Sequence, residues 1–152
     1  MVVQGKRVLA IASGGGHWVQ LLRLSPAFEG LNVTWVSRDP ASAADVTPAP
    51  FMTIGEASRT QKLGVVKVMA QAFWILLRTR PAVIVTTGAA PGLITLVLGK
   101  SLFRAKTIWI DSIANVETLS GSGKLAARFA DLRLTQWPDL AVDGVEHWGA
   151  VL

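Results

Sequence analysis

Arg7–His17 reads RVLAIASGGGH, and this stretch decides the fold. An apolar run of strand length, Arg7–Ala12, passes directly into Gly14, Gly15 and Gly16, and His17 then opens a helical segment. A strand that runs through a glycine turn into a helix is the opening unit of a doubly wound α/β domain. Farther along, Val83–Gly92 (VIVTTGAAPG) repeats the device: a β-branched run, Thr87-Gly88, then a helix introduced by Pro91. Between and beyond these come further short apolar runs at Asn32–Val36, Thr107–Ile110 and Leu132–Thr135, the last read as the final strand. A short strand is also expected at Phe51–Ile54. Helices are expected over His17–Phe28 (Val19, Leu22 and Phe28 toward the sheet), Lys62–Arg78, Pro91–Gly99 and Gly123–Ala130. Most of Ser37–Thr60 reads as loop, and Ser120 can cap the helix after the polar loop Asp111–Ser120. Short apolar strands alternating with helices predict a Rossmann-like parallel sheet covered on both faces, as one domain over residues 1–152.

Composition narrows the chemistry. The 152 residues are 51% hydrophobic and 16% charged, less charged than the roughly 25% of an ordinary soluble domain. Such a chain folds, and it keeps apolar surface for a partner or a bilayer. With no cysteine and two histidines, His17 and His147, thiol catalysis, disulfides and histidine-rich metal sites are excluded. No cofactor is expected. The net charge of +5 is unevenly placed. No acidic residue falls between Ala57 and Ile110, a stretch that holds Arg59, Lys62, Lys67, Arg78, Arg80, Lys100, Arg104 and Lys106. After Trp137 the sign reverses with Asp139, Asp143 and Glu146. The acid-free middle implies an anionic partner.

In open α/β sheets ligands bind beyond the carboxyl ends of the strands. That rule gathers Ser13–His17, Thr87–Gly92, Asp111–Glu117 and Gln136-Trp137 onto one rim. Ser13, Gly14, Gly15 and Gly16 on the first loop, with Thr87 and Gly88 on the second, suit a ligand carrying more than one phosphate, because glycine lets backbone N–H groups approach an anion. The third loop adds Asp111, Ser112 and Asn115. His17 and Asp111 are the catalytic candidates, His17 as a neutral imidazole beside a helix N-terminus. The dinucleotide fingerprint fails, since Val19 holds its third glycine position, and Gly99-Lys100 and Gly123-Lys124 lack the phosphate-loop spacing.

Lys67, Gln71, Trp74 and Arg78 share one stripe of an otherwise apolar helix. A tryptophan within a basic stripe suits a bilayer interface. Nucleic acid fits less well, because the cations alternate with aliphatic residues and not with stacking aromatics. No apolar run reaches the roughly 18–20 residues of a membrane span, and the N-terminus lacks a signal-peptide layout. The expected location is cytoplasmic, peripheral on the cytoplasmic face of a membrane.

Taken in order, SGGGHWVQLLRL, SRDP, PAVIVTTGAAPG and IWIDSIANVETLSGSGKLAARFADLRLTQW resemble the acceptor-side subunit of split GT-B glycosyltransferases. Its eukaryotic member anchors the UDP-N-acetylglucosamine transferase that adds the second sugar to dolichol-linked oligosaccharide, and bacterial relatives act in exopolysaccharide and capsule assembly. The glycine loop with its histidine is also similar to that of the peptidoglycan transferase that makes the disaccharide lipid precursor. The resemblance implies the N-terminal half of a GT-B enzyme and a metal-independent, inverting transfer. The donor would be UDP-N-acetylglucosamine, UDP-glucuronate or UDP-galactose, and the acceptor a polyprenyl-diphosphate-linked saccharide. A second subunit would carry the UDP-sugar site. Gly14–Gly16 would line the acceptor side, His17 would be the base and Gly88 part of a second anion loop. Asp111 stands where family members usually carry glutamate, and Asn115 near where many carry arginine. Two alternatives are a non-catalytic membrane adaptor and a stand-alone Rossmann nucleotide binder with Arg38 near a ribose phosphate.

Overall fold

A computed structural model describes residues 5–58 and 60–151, so Arg59 of the basic middle lies outside the described residues. Seven parallel strands form one sheet: β1 (Arg7–Ile11), β2 (Asn32–Ser37), β3 (Phe51–Thr53), β4 (Val83–Thr86), β5 (Lys106–Ile110), β6 (Leu132–Thr135) and β7 (Glu146–His147). Their spatial order is β3-β2-β1-β4-β5-β6-β7, so the winding reverses between β1 and β4. The helices are α1 (Gly15–Arg23), α2 (Ala43–Val46), α3 (Lys62–Thr79), α4 (Ala89–Phe103) and α5 (Gly121–Leu125).

The two-residue repeat of β1 divides the core. Leu9 and Ile11 pack with Val68, Ile75 and Leu76 of α3 on one face. Val8, Ala10 and Ala12 pack with Trp18 and Leu21 of α1 on the other. Both faces are therefore apolar, as a parallel sheet covered by helices requires. Near α1, Trp18 meets Trp35 and Phe51 edge-on, with ring centroids 5.9 and 6.1 Å away. Its indole Nε1 donates to Asp45 Oδ2 at 2.9 Å.

Several expected boundaries shift for identifiable reasons. The first helix starts at Gly15 and stops at Arg23, and Pro26 then holds Ser25–Phe28 in a 3₁₀ turn. This phase turns Trp18 and Leu21 to the sheet and leaves Val19 45% exposed. Gly99 does not end α4, because it is a packing glycine: a Cβ there would lie 2.0 Å from Ile84 Cδ1. The helix continues to Phe103 and closes on Arg104 in the left-handed conformation, φ 55°. Between Ser37 and Thr60 the chain makes a short 3₁₀ turn, capped by Asp39, and then α2. The expected helix at Gly123–Ala130 divides into α5 and a 3₁₀ turn at Ala126–Arg128, with Ser120 Oγ accepting from Gly123 N at 2.9 Å. β6 is not the last strand, since Glu146 and His147 add a seventh beside it.

Candidate functional site

The turns after β1 and β4 lie side by side where the winding reverses, the position at which such sheets open a crevice. They are conformational twins. Gly14 has φ 138° and ψ −175°, and Gly88 has φ 134° and ψ −173°. Each is followed by a left-handed residue, Gly15 at φ 54° and Ala89 at φ 67°. Neither α1 nor α4 has a side-chain cap or an acidic residue in its first turn. Two helix N-termini thus present uncompensated positive potential to one rim.

His17 joins the turns. Its Nδ1 lies 2.9 Å from the Thr87 carbonyl oxygen, while Thr87 Oγ1 donates to the His17 carbonyl at 2.6 Å. A carbonyl only accepts, so Nδ1 carries a proton, and the neutral form of the ring held this way has its lone pair on Nε2. That is the tautomer a general base needs. The close approach also explains Gly88, where a Cβ would lie 2.7 Å from His17 Cε1 and Nδ1. Thr87 was expected to bind an anion, but it is fully buried and its hydroxyl is committed to His17. Its part is to position the imidazole.

Asp111 is likewise reassigned. It is 1% exposed and accepts from four donors. Trp109 Nε1 and Ser120 Oγ reach Oδ1 at 3.0 and 2.6 Å, and Asn115 Nδ2 and Ser120 N reach Oδ2 at 3.1 and 2.9 Å. A carboxylate so occupied has no lone pair aimed at a substrate proton. It shapes the 111–120 loop, and Gly123 leaves it room, since a Cβ there would lie 2.5 Å from Oδ1. Beneath this loop the buried Gln20, which sequence reading passed over, and Gln136, which it placed on the rim, form its floor. Gln20 Nε2 donates to Ser112 Oγ at 3.2 Å, and Gln136 Nε2 donates to Gln20 Oε1 at 2.6 Å. The available signal was the amide at position 20, between the sheet-facing Trp18 and Leu21.

Two hollows flank the Gly88–Ala89 turn. One, of about 290 Å³, is lined by His17, Gly88, Asp111, Ser112, Asn115 and Ser120. The other, of about 260 Å³, is lined by Ser13, Gly14, Gly15, Arg38, Glu56 and Ala90. Gly16 is exposed in the first turn of α1 beside them. Arg38 Nη1 pairs with Glu56 Oε2 at 2.7 Å, and both side chains are more than half exposed, so an incoming anion can replace Glu56 with little loss. Among the described residues no group of three or more His, Cys, Asp or Glu could hold a metal ion.

Of the four residues expected to share an exposed stripe on α3, three do so. Lys67, Trp74 and Arg78 are exposed, with the Arg78 guanidinium 5.0 Å from the Trp74 ring centroid. Gln71 departs from it, because its Oε1 accepts from Gly55 N at 2.8 Å and braces the loop after β3. Apolar residues fill the rest of this face, from Leu63 (86% exposed) through Val66 and Phe73 to Leu77. No helix among the described residues is long and apolar enough to cross a membrane.

The fold and rim define a Rossmann-like α/β chain matching one half of GT-B glycosyltransferases. It superposes on MurG of Acinetobacter baumannii with a TM-score of 0.74 at 14% identity, covering 93% of this chain and 45% of that one. A glycosyltransferase from Rickettsia africae ESF-5 gives a TM-score of 0.66 at 10% identity over 95% of this chain and 43% of the other. The UDP-N-acetylglucosamine 2-epimerase of Rickettsia bellii gives 0.69 at 10% identity over 97% and 46%. The chain therefore spans just under half the length of these solved structures. A family model, oligosaccharide biosynthesis protein Alg14 like, matches residues 51–151, and the chain belongs to that family. The UDP-N-acetylglucosamine transferase subunit ALG14 of Eremothecium gossypii is 29% identical over 167 residues, covering 90% of this chain and 75% of the relative. The mouse subunit of the same name is 25% identical over 168 residues, covering 88% and 76%.

Proposed function

We propose that this chain is the acceptor-binding subunit of a two-chain glycosyltransferase that moves a sugar from a UDP-sugar to a polyprenyl-diphosphate-linked saccharide at a membrane surface. The observation that carries this reading is the His17 Nδ1–Thr87 carbonyl contact of 2.9 Å, which ties the imidazole to the second of two uncapped turns at the point where the sheet reverses. The names of the relatives favour UDP-N-acetylglucosamine as the donor. The word subunit in those names favours a separate partner carrying the UDP-sugar site.

In this mechanism the acceptor diphosphate occupies the Arg38 hollow, against the N–H groups of α1 and α4, and displaces Glu56. Its sugar reaches past Ala89 into the hollow lined by His17, Ser112 and Asn115. The acceptor hydroxyl attacks the anomeric carbon of the donor and passes its proton to His17 Nε2. The anomeric C–O bond to UDP breaks, UDP leaves with that electron pair, and the configuration inverts. The protonated imidazole is stabilised by its Nδ1–H bond to Thr87 and returns the proton to solvent. The exposed apolar and basic face of α3 would hold the subunit on the cytoplasmic leaflet, with the lipid tail beside it.

Purified chain, alone and co-expressed with a short second-domain partner, tests the reading through elongation of a polyprenyl-diphosphate sugar by UDP-N-acetylglucosamine. Transfer is expected from the pair and not from the single chain. Full activity from the single chain, or none from any pairing, would overturn it.

A further inference from the structure

The end of the sheet opposite the rim carries a basic hollow that the transfer reaction does not use. It measures about 400 Å³, lies between the C-terminal ends of α3 and α4, and is lined by Arg7, Arg80, Arg104, Leu102 and Phe103 together with Pro81. Ion pairs among the described residues are Arg38–Glu56 and Lys100–Asp131, and the three arginines of the hollow belong to neither. Two of them occupy unusual backbone positions. Arg80 follows α3 at φ 42° and Arg104 follows α4 at φ 55°, both left-handed, where helices ordinarily place glycine. The hollow opens directly onto exposed apolar surface. Leu102 is 60% exposed at its wall, and Leu77 and the stacked Trp74–Arg78 pair lie on the last turns of α3.

We propose that this hollow is a second anion site, and that it binds the phosphate headgroups of anionic phospholipids. Charge complementarity names the phosphate. The apolar flank names the lipid over a soluble anion, since a free phosphate has no use for an exposed Leu102 at its wall. With both ends of α3 engaged, the helix lies along the bilayer and the catalytic rim stands beside the membrane and not against it. The inference rests on the membrane part of the proposed function and adds to it a lipid charge preference. A cation at a helix C-terminus also favours the macrodipole, so a purely capping role for Arg80 and Arg104 is the competing explanation.

Glycine separates the two. In the full chain, Arg80→Gly with Arg104→Gly removes two charges and supplies the residue best suited to both backbone positions. Each arginine near an anionic surface contributes about fivefold to partitioning, so the pair is expected to weaken binding to phosphatidylcholine–phosphatidylglycerol vesicles about 25-fold. Binding to pure phosphatidylcholine vesicles stays at the parental level, and the melting temperature is unchanged or raised. Arg7→Gln, at the exposed start of β1, gives a smaller loss of the same kind. Equal binding by parent and variants would overturn the headgroup site while leaving the membrane face of α3 standing. A parent that ignores phosphatidylglycerol vesicles would overturn both. A lowered melting temperature with unaltered vesicle binding would make the arginines caps. Saturable shifts of the Arg80 and Arg104 amides by inorganic phosphate at micromolar concentration would make the site one for soluble phosphate, and would overturn the lipid assignment.

Discussion

The turns after β1 and β4 share a backbone and differ in what their glycines are for. Around Gly14, Gly15 and Gly16, a Cβ would meet nothing within 4 Å. Around Gly88 and Gly92 it would strike the protein itself, His17 at 2.7 Å and Thr86 Oγ1 at 2.1 Å. The first turn is open to something outside the chain, and the second is closed around the chain's own His17 imidazole. Nearly equal φ and ψ values therefore serve two purposes: one loop leaves its backbone open to solvent, and the other packs against the His17 side chain. A glycine motif read from sequence carries the conformation, but the neighbours decide its role.

Substitutions separate the two turns, and the largest effect belongs to the second. Gly88→Ala adds a methyl group where the His17 ring lies and forces φ 134° on a residue that resists it, so about 3 kcal/mol of stability and nearly all transfer activity should be lost. Denaturant unfolding and a reconstituted transfer assay measure the two losses. Gly92→Ala clashes with Thr86 behind the turn, away from the rim, and about 2 kcal/mol of destabilisation with a milder activity loss is expected. Ala89→Gly relieves the left-handed alanine and makes the second turn more like the first. It should stabilise the fold by about 0.5–1 kcal/mol, visible as a higher melting temperature. Gly16→Ala sharpens the comparison most, because that residue is neither left-handed nor crowded. Stability should move by less than about 0.5 kcal/mol, while the KM for the lipid-linked acceptor rises. A Gly16→Ala variant destabilised as much as Gly88→Ala, or a Gly88→Ala variant as stable as the parent, would erase the distinction.

Much of this was legible in the sequence, for a physical reason. Buried parallel strands are β-branched apolar runs, so Arg7–Ala12, Val83–Thr86 and Thr107–Ile110 declared themselves to within a residue at each end. Their loops stood out as the glycine-rich pieces of an apolar chain. What stayed hidden depended on tertiary neighbours. Glu146–His147 is too short to show a period and exists as a strand only because β6 offers an edge. The face of α1 moved with a start at the left-handed Gly15, two residues before the expected His17, and Trp18 is buried in place of Val19. Gly99 looked like a helix stop, yet it is small because Ile84 presses on it. Asp111 looked catalytic by position, but Trp109, Asn115 and Ser120 fold back to occupy both its oxygens, and no spacing rule announces that. Gln71 kept its place on the helix and was turned inward by Gly55, sixteen residues away.

The most direct test is the turnover of His17→Gln in the assembled two-chain enzyme, with Asp111→Asn measured beside it. If the free Nε2 of His17 removes the acceptor proton, His17→Gln lowers kcat by about 10²–10⁴-fold with little change in acceptor KM or melting temperature. Asp111→Asn, by contrast, acts chiefly through loop stability. Wild-type turnover from a folded His17→Gln variant would contradict the assignment of the base.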